Sequence, residues 1–344
     1  PVIIDEVQLV PALFRALKLV IDDLRDGGRK KANGRFILTG SANVMALPGL
    51  ADALVGRMRI LTLLPLAMGE YAGRRPMVER LFDKGAGFSG NQTYDAFHLA
   101  DWIHRASYPE IALASPKERN GWYQDYITTI LQRDVQQLTE VDKLSAMPNL
   151  LKVLAPRAGS LLNDSSAARD VGLNVMTYRR YRTLMQHVFM VTTVPPWFRN
   201  IGKRLVKSPK LFFYDTGLLA YLLGMDKNKL AASDDPMVGH VVENFVASEL
   251  MKQLTLSPHL SLYHFRTEAG READFVIEGA MGKLVGTEVK ARSVISTHDF
   301  AGLHELKQGV GKNFHHGIVL YSGKSVIAFG PDMTAVPIMA LMGV

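Results

Sequence analysis

Apolar and polar positions alternate along this chain in ways that predict a series of distinct elements. Val2-Ile3-Ile4 is an unbroken apolar run that ends in Asp5 and Glu6, a pattern that predicts a buried parallel strand delivering carboxylates to its carboxyl end. From Val10 to Leu24 the apolar residues Leu13, Leu17, Val20, Ile21 and Leu24 recur at helical spacing, and the polar stretch Gly27–Gly34 ends that helix. Phe36–Leu38 predicts a second strand, tipped by Thr39, Gly40, Ser41 and Asn43, and Arg59–Leu64 a third. Residues 69–150 read as mainly helical, interrupted by Gly85–Gly90 and with a long helix beginning at Trp122. In 151–225, Ser165 or Ser166 caps a short helix, Gly172 turns, and Met176–Met190 forms a second helix with Tyr178, Arg179, Arg180 and Arg182 exposed. The Pro195-Pro196 turn and KRLVKSPKLFFYD then predict a hairpin, so the stretch reads as a winged helix. A polar boundary at Asp226–Pro236 leads into 235–344. There a helix carries Val242, Phe245, Val246, Leu250 and Leu254 on one stripe with Glu243 at its edge, and strands follow at LYHFR, ADFVIE and LVGTEVK. The fold class is therefore α/β multidomain.

Composition narrows this picture in two ways. With 344 residues, 47% hydrophobic and 21% charged, the chain has the material of two or three packed domains. No apolar run approaches the ~18 residues that span a bilayer, so no membrane partner is expected. The absence of cysteine fits a cytoplasmic protein.

The net charge of +7 is concentrated rather than spread. Between Arg169 and Lys210 stand nine basic residues against one acid, Asp170. Arg179, Arg180 and Arg182 on the second helix, with Lys203, Arg204 and Lys207 in the wing, are the candidate contacts to DNA phosphates. The plainer reading is a solvated positive face or a packing domain.

Asp5-Glu6 after a buried strand is the arrangement of a Walker B element, in which the first acid helps hold Mg²⁺ and the second polarises a water. About 35 residues on, the polar tip with Ser41 and Asn43 stands where the sensor 1 position of an AAA-type ATPase lies and a side chain reaches the γ-phosphate or the water. Arg57, in a Gly-Arg turn, is a candidate charge-compensating arginine. No G-x-x-x-x-G-K-[ST] loop accompanies them. At Gly311-Lys312 the first glycine is replaced by Leu306, and Gly317–Ser325 has one residue too many and runs into a strand. The expectation is that the phosphate-binding loop precedes Walker B outside this sequence, so that ATP is a cofactor of the full-length protein only and the chain as given does not hydrolyse it.

The last domain carries its own constellation. Asp274 lies in a strand and is expected to share a face with Val276. Glu288 and Lys290, two residues apart in the next strand, point the same way. Strands lie ~4.8 Å apart, so Asp274 and Glu288 can converge on one Mg²⁺, Glu243 can complete its shell from the preceding helix, and Lys290 can serve the attacking water or the phosphate. The alternative is a set of acids and a lysine paired at a strand edge.

The order Glu…Asp-x(13)-Glu-x-Lys resembles the PD-(D/E)xK core of restriction endonucleases and archaeal junction resolvases, with Ala273 where the motif has proline. Together with VIIDEVQ, RFILTGSAN, ALVGRMRILTLLPL and KLFFYDTGLLAYLLG, it resembles a large prokaryotic family of AAA-superfamily ATPases with a C-terminal domain of unknown function. The resemblance implies Asp5 and Glu6 as Walker B, Ser41 or Asn43 as sensor 1, Arg57 as the arginine, acting within the chain or on a neighbour in a homo-oligomer, and Glu243, Asp274, Glu288 and Lys290 as the nuclease-like site. The function expected is an ATPase coupled to DNA binding, with Mg²⁺-dependent cleavage as an added activity. The alternatives are a non-catalytic DNA- or protein-binding switch on a degenerate nuclease scaffold, and an ATPase that remodels a protein partner.

Overall fold

The computed structural model describes residues 1–28, 32–43, 54–71, 73–74, 77–82, 96–105, 107–135, 146–200, 204, 207–231 and 235–342. Strands β1 (Val2–Ile4) and β2 (Phe36–Leu38) pair in parallel, with helix α1 (Leu13–Asp26) between them in sequence. Phe14 and Leu17 of α1 form a small core with Val7 and Leu54. The parallel pairing is as the sequence predicts, but the burial is not. Val2 and Ile3 are 55% and 68% exposed and Ile37 is 46% exposed, since among the described residues the small core of this part lies on one side of the pair. The third strand expected at Arg59–Leu64 does not form; that segment is extended without a ladder, with Leu61 and Leu63 in solvent.

A helical region follows, with α2 (Met68–Tyr71), α3 (Ala96–His104), α4 (Pro116–Thr129) and α5 (Met147–Leu154). Ser115 and Glu118 make a capping box at the start of α4. Next come α6 (Asp164–Val171), a left-handed Gly172, α7 (Val175–His187), and an antiparallel pair formed by β3 (Val191–Val194) and β4 (Lys210–Phe213). The elements expected there are present, with three corrections, the first being that Arg182, expected in solvent, has a side chain only 14% exposed beside Asp164. The cap of α6 is Asn163, which accepts the Ser166 N–H at 3.0 Å, rather than either serine. Tyr178 is fully buried rather than exposed, packed with Tyr181 and Met185. Helices α8 (Thr216–Leu223) and α9 (Lys227–Ala231) complete this part.

Helix α10 (Pro236–Leu254) leads to a sheet of β5 (Ser261–Arg266), β6 (Glu272–Glu278), β7 (Leu284–Lys290), β8 (Phe314–Tyr321), β9 (Ile327–Ala328) and β10 (Met333–Pro337), in the order β5-β6-β7-β8-β10-β9. Helix α11 (Ala301–Val310) connects β7 to the parallel β8. Phe275, Ile277, Val285 and Ile318 pack on the α10 side, in a core that runs continuously from Met68 to Leu341. Val276, Leu284 and Val319 pack on the α11 side with Leu303 and Leu306. Helix α11 lies so close to β6 that a Cβ on Gly302 would stand 1.6 Å from the Glu272 carbonyl oxygen. Among the described residues no helix is long and apolar enough to cross a membrane.

Candidate functional site

Two groups of acids stand out, one at each end of the chain. In the first, β1 ends at Ile4 and the backbone turns sharply: Glu6 has a left-handed φ of 51°, a conformation that costs energy for a residue with a side chain. The turn holds both acids at the carboxyl edge of the parallel pair. The Asp5 carboxylate accepts hydrogen bonds from the Glu6 N–H and from the Thr39 hydroxyl at the tip of β2. Gln8, nearly buried, donates through Nε2 to Glu6 and, at 3.2 Å, to the Ser41 hydroxyl. Asp5, Glu6, Thr39 and Ser41 thus meet at one edge. Carboxylates and hydroxyls at the carboxyl ends of parallel strands are the donor set that suits a Mg²⁺–nucleotide. Gln8 is the addition that sequence patterning did not single out, and Thr39, named there only as part of the strand tip, is the residue that holds Asp5. Asn43 continues this tip, and its N–H donates to the His187 carbonyl at the end of α7 at 2.8 Å. Arg57 is held by α1, with Nε 2.7 Å and an Nη 2.9 Å from the two Asp22 oxygens. That pair holds the Asp22 carboxyl below the usual range.

The second group is built by a bulge. Between the pairs Tyr263↔Val276 and Phe265↔Ala273, strand β6 spends one residue more than β5, so Asp274 and Phe275 together oppose His264. This breaks the strict alternation. Phe275 packs its ring at a tilt against that of Phe212, centroids 5.6 Å apart, and Asp274 also reaches Lys210 of β4, while Val276 packs on the α11 side. Asp274 and Val276 therefore do not share a face. The ladder between β6 and β7 ends at Phe275↔Thr287, and beyond it the Asp274 carboxylate accepts the Val289 N–H at 2.8 Å.

Into this opening comes a residue that the sequence reading left among the surface cations. Lys210, at the start of β4 and 4% exposed, donates to Glu243 Oε1 at 2.9 Å and to Asp274 Oδ1 at 3.3 Å. Lys290 donates to Glu288 Oε1 at 2.6 Å, and Glu288 Oε2 is buried without a hydrogen-bond partner. Three carboxyl groups thus share two ammonium groups. Burial, with the negative charge of Asp274, pushes the Glu243 and Glu288 carboxyls each up to about 8. Burial opposes the charge on Lys210, yet Asp274 and Glu243 hold it above its ordinary range.

Glu243 and Asp274 are therefore joined through Lys210, and the charge of Asp274 also acts on Glu288. A divalent cation needs six or more oxygens, several of them from the protein or substrate. Here Glu243 Oε1, both Asp274 oxygens and Glu288 Oε1 already accept hydrogen bonds. Among the described residues no three or more His, Asp and Glu side chains are arranged to hold a metal. As arranged, the donor set does not fit Mg²⁺.

The basic stretch is also partly spent inside the protein. Arg179 pairs with Asp164 at 2.7 Å and Arg182 faces the same carboxylate at 3.5 Å. Arg204 is bound to Glu278 at 2.6 Å and lies over the rings of Trp197 and Tyr263. Arg179, Arg180 and Lys207 are exposed at the surface, and Lys203 lies outside the described residues.

The stretch YDTGLLAYLLG contributes no surface chemistry and a buried hub instead. Asp215 caps α8 through the Leu218 N–H and also accepts the Ser107 N–H at 2.7 Å and the Tyr123 hydroxyl at 2.6 Å.

Residues 1–72 match the model of an AAA domain. Residues 96–229 and 238–341 match two domains of unknown function, DUF8612 and DUF4143. The uncharacterized proteins Rv2008c of Mycobacterium tuberculosis and Mb2031c of Mycobacterium bovis are each 31% identical over 293 residues, which is 85% of this chain. The chain spans 59% of the length of these curated relatives. No solved structure matches. The AAA-domain match and the DUF4143 region support an AAA-superfamily ATPase-like protein.

Proposed function

We propose that this chain is part of an ATP-driven DNA-binding switch. Asp5 and Glu6 hold Mg²⁺ and orient the attacking water, and Ser41 reports the state of the γ-phosphate. Nucleotide state then passes to the helix that carries Arg179 and Arg180. One observation carries the reading: the tip that bears Ser41 is joined to α7 by the Asn43 N–H to His187 carbonyl bond. A shift of the strand tip with the γ-phosphate therefore moves the carboxyl end of a helix whose exposed arginines suit phosphate oxygens. The C-terminal domain is a nuclease-like scaffold in this reading.

The test uses the full-length gene product and follows ATP turnover together with fluorescence anisotropy of labelled duplex DNA. Glu6→Gln abolishes turnover while leaving nucleotide binding, and saturating ATP changes DNA affinity in the wild type. Turnover that survives Glu6→Gln, or DNA affinity that is the same with and without nucleotide, overturns the proposal.

A further inference from the structure

The C-terminal cleft is closed by the middle of the chain. Lys210 enters from β4, whose backbone is fixed on both sides, pairing with Val194 of β3 and bridging to Leu161. The segment before Leu161 is drawn in as well, since the Gly159 N–H donates to the Leu211 carbonyl at 2.8 Å. Gly159 lies so near the cleft that a Cβ there would stand 3.0 Å from Glu243 Oε2. Lys210 and Asp274 side chains are 5% and 8% exposed, and Glu243 is 15% exposed. A buried ammonium group is costly unless carboxylates and hydrogen bonds compensate it. Here Glu243 and Asp274 each accept a hydrogen bond from it, and they are the two acids that a metal would have used.

We propose that Lys210 is the resident cation of this cleft, its ammonium group holding Glu243 and Asp274 together in place of a divalent ion and excluding one. The lysine reaches the acids from a different part of the fold, so it also fastens the β3–β4 pair to α10 and β6. Its role is positional: it touches no substrate. The proposal stands apart from the ATPase reading, because a chain with no ATP turnover would show the same cation preference.

The test is Mn²⁺ binding to the chain, read from the loss of the free hexaaquo Mn²⁺ signal by electron paramagnetic resonance and repeated with Asp274→Asn. The wild type is expected to show no Asp274-dependent Mn²⁺ site with a Kd below the millimolar range. Lys210→Met, which keeps the stem and removes the charge, is expected to gain a site at least tenfold tighter that Asp274→Asn removes again. Mn²⁺ is also expected to raise the Tm of Lys210→Met while leaving that of the wild type unchanged, which gives a readout even if the variant is only marginally folded. An Asp274-dependent Mn²⁺ site in the wild type overturns the proposal whether or not Lys210→Met folds. So does a folded Lys210→Met that binds Mn²⁺ no better than the wild type.

Discussion

The acids at the two ends of this chain are the same residue types in opposite settings. Asp5 is exposed, and it and Glu6 are engaged by neutral groups, the Thr39 hydroxyl and the Gln8 amide. Asp274 and Glu243 are closed off and engaged by an ammonium group. Neutral donors orient a carboxylate without cancelling its charge. An ammonium group spends that charge. At the N-terminal edge hydroxyl and amide donors orient the acids, whereas in the C-terminal domain an ammonium group ties two acids together.

The sharpest way to break this comparison is to remove one acid from each end. Asp274→Ala leaves Lys210 buried with half its partners, and the expected cost is about 3–5 kcal/mol in urea unfolding. Asp5→Ala, at an exposed edge, is expected to leave the urea midpoint unchanged within error. Equal losses in the two variants would erase the distinction.

A gentler perturbation acts on the lid of the cleft. Gly159 has a φ of +76°, so Gly159→Ala combines backbone strain with pressure on Glu243, and about 1–3 kcal/mol is expected from the same measurement.

Proton uptake sharpens the comparison further. Lys210 from β4 and Asp274 and Glu272 from β6 are the charged groups that act on Glu243, whose folded-state pKa of about 8 lies above the unfolded value. A carboxyl raised in this way keeps its proton in the folded chain after the unfolded chain has lost it. Stability should therefore fall as pH rises from about 5 toward 8 and level off above that. Glu243→Gln is expected to make the decline shallower across that same interval, with Glu288 supplying what remains.

The smallest effect belongs to the surface. Each of Arg179→Ala and Arg180→Ala should weaken DNA binding with little sequence dependence, and should reduce the slope of log K against log salt by about 1.

Much of this arrangement is legible in the sequence. The stripe on α10 and the strands β5 to β7 follow from periodicity. So do the parallel pairing of β1 with β2 and the helix–turn–helix order before β3. Lys210 is not legible, because its neighbours in sequence are basic and its partners lie 33 and 64 residues away. Arg204 is hidden for the same reason, 74 residues from Glu278. The β6 bulge escapes a strict two-residue period because one extra residue shifts every side chain before it to a new phase. Tyr178 was misplaced because a tyrosine between basic residues looks solvated, yet Tyr178, Tyr181 and Met185 make the buried stripe of α7.

Helix α10 has a consequence for anyone who wishes to take the protein apart. Asn244, fully buried, accepts the Phe213 N–H at 2.7 Å and donates to the Thr216 hydroxyl at 3.1 Å. One turn on, Glu249 accepts the Met68 N–H at 2.8 Å. Gln253 accepts the N–H groups of Met77 and Val78 and donates to the Leu341 carbonyl. A single rod of 19 residues thus staples the segment after the first parallel pair, the β4–α8 corner and the last turn of the chain. Cutting between α9 and α10 would strip polar partners from both pieces and open one continuous core. Expression of either piece alone should yield aggregates, while the two co-expressed should reassemble.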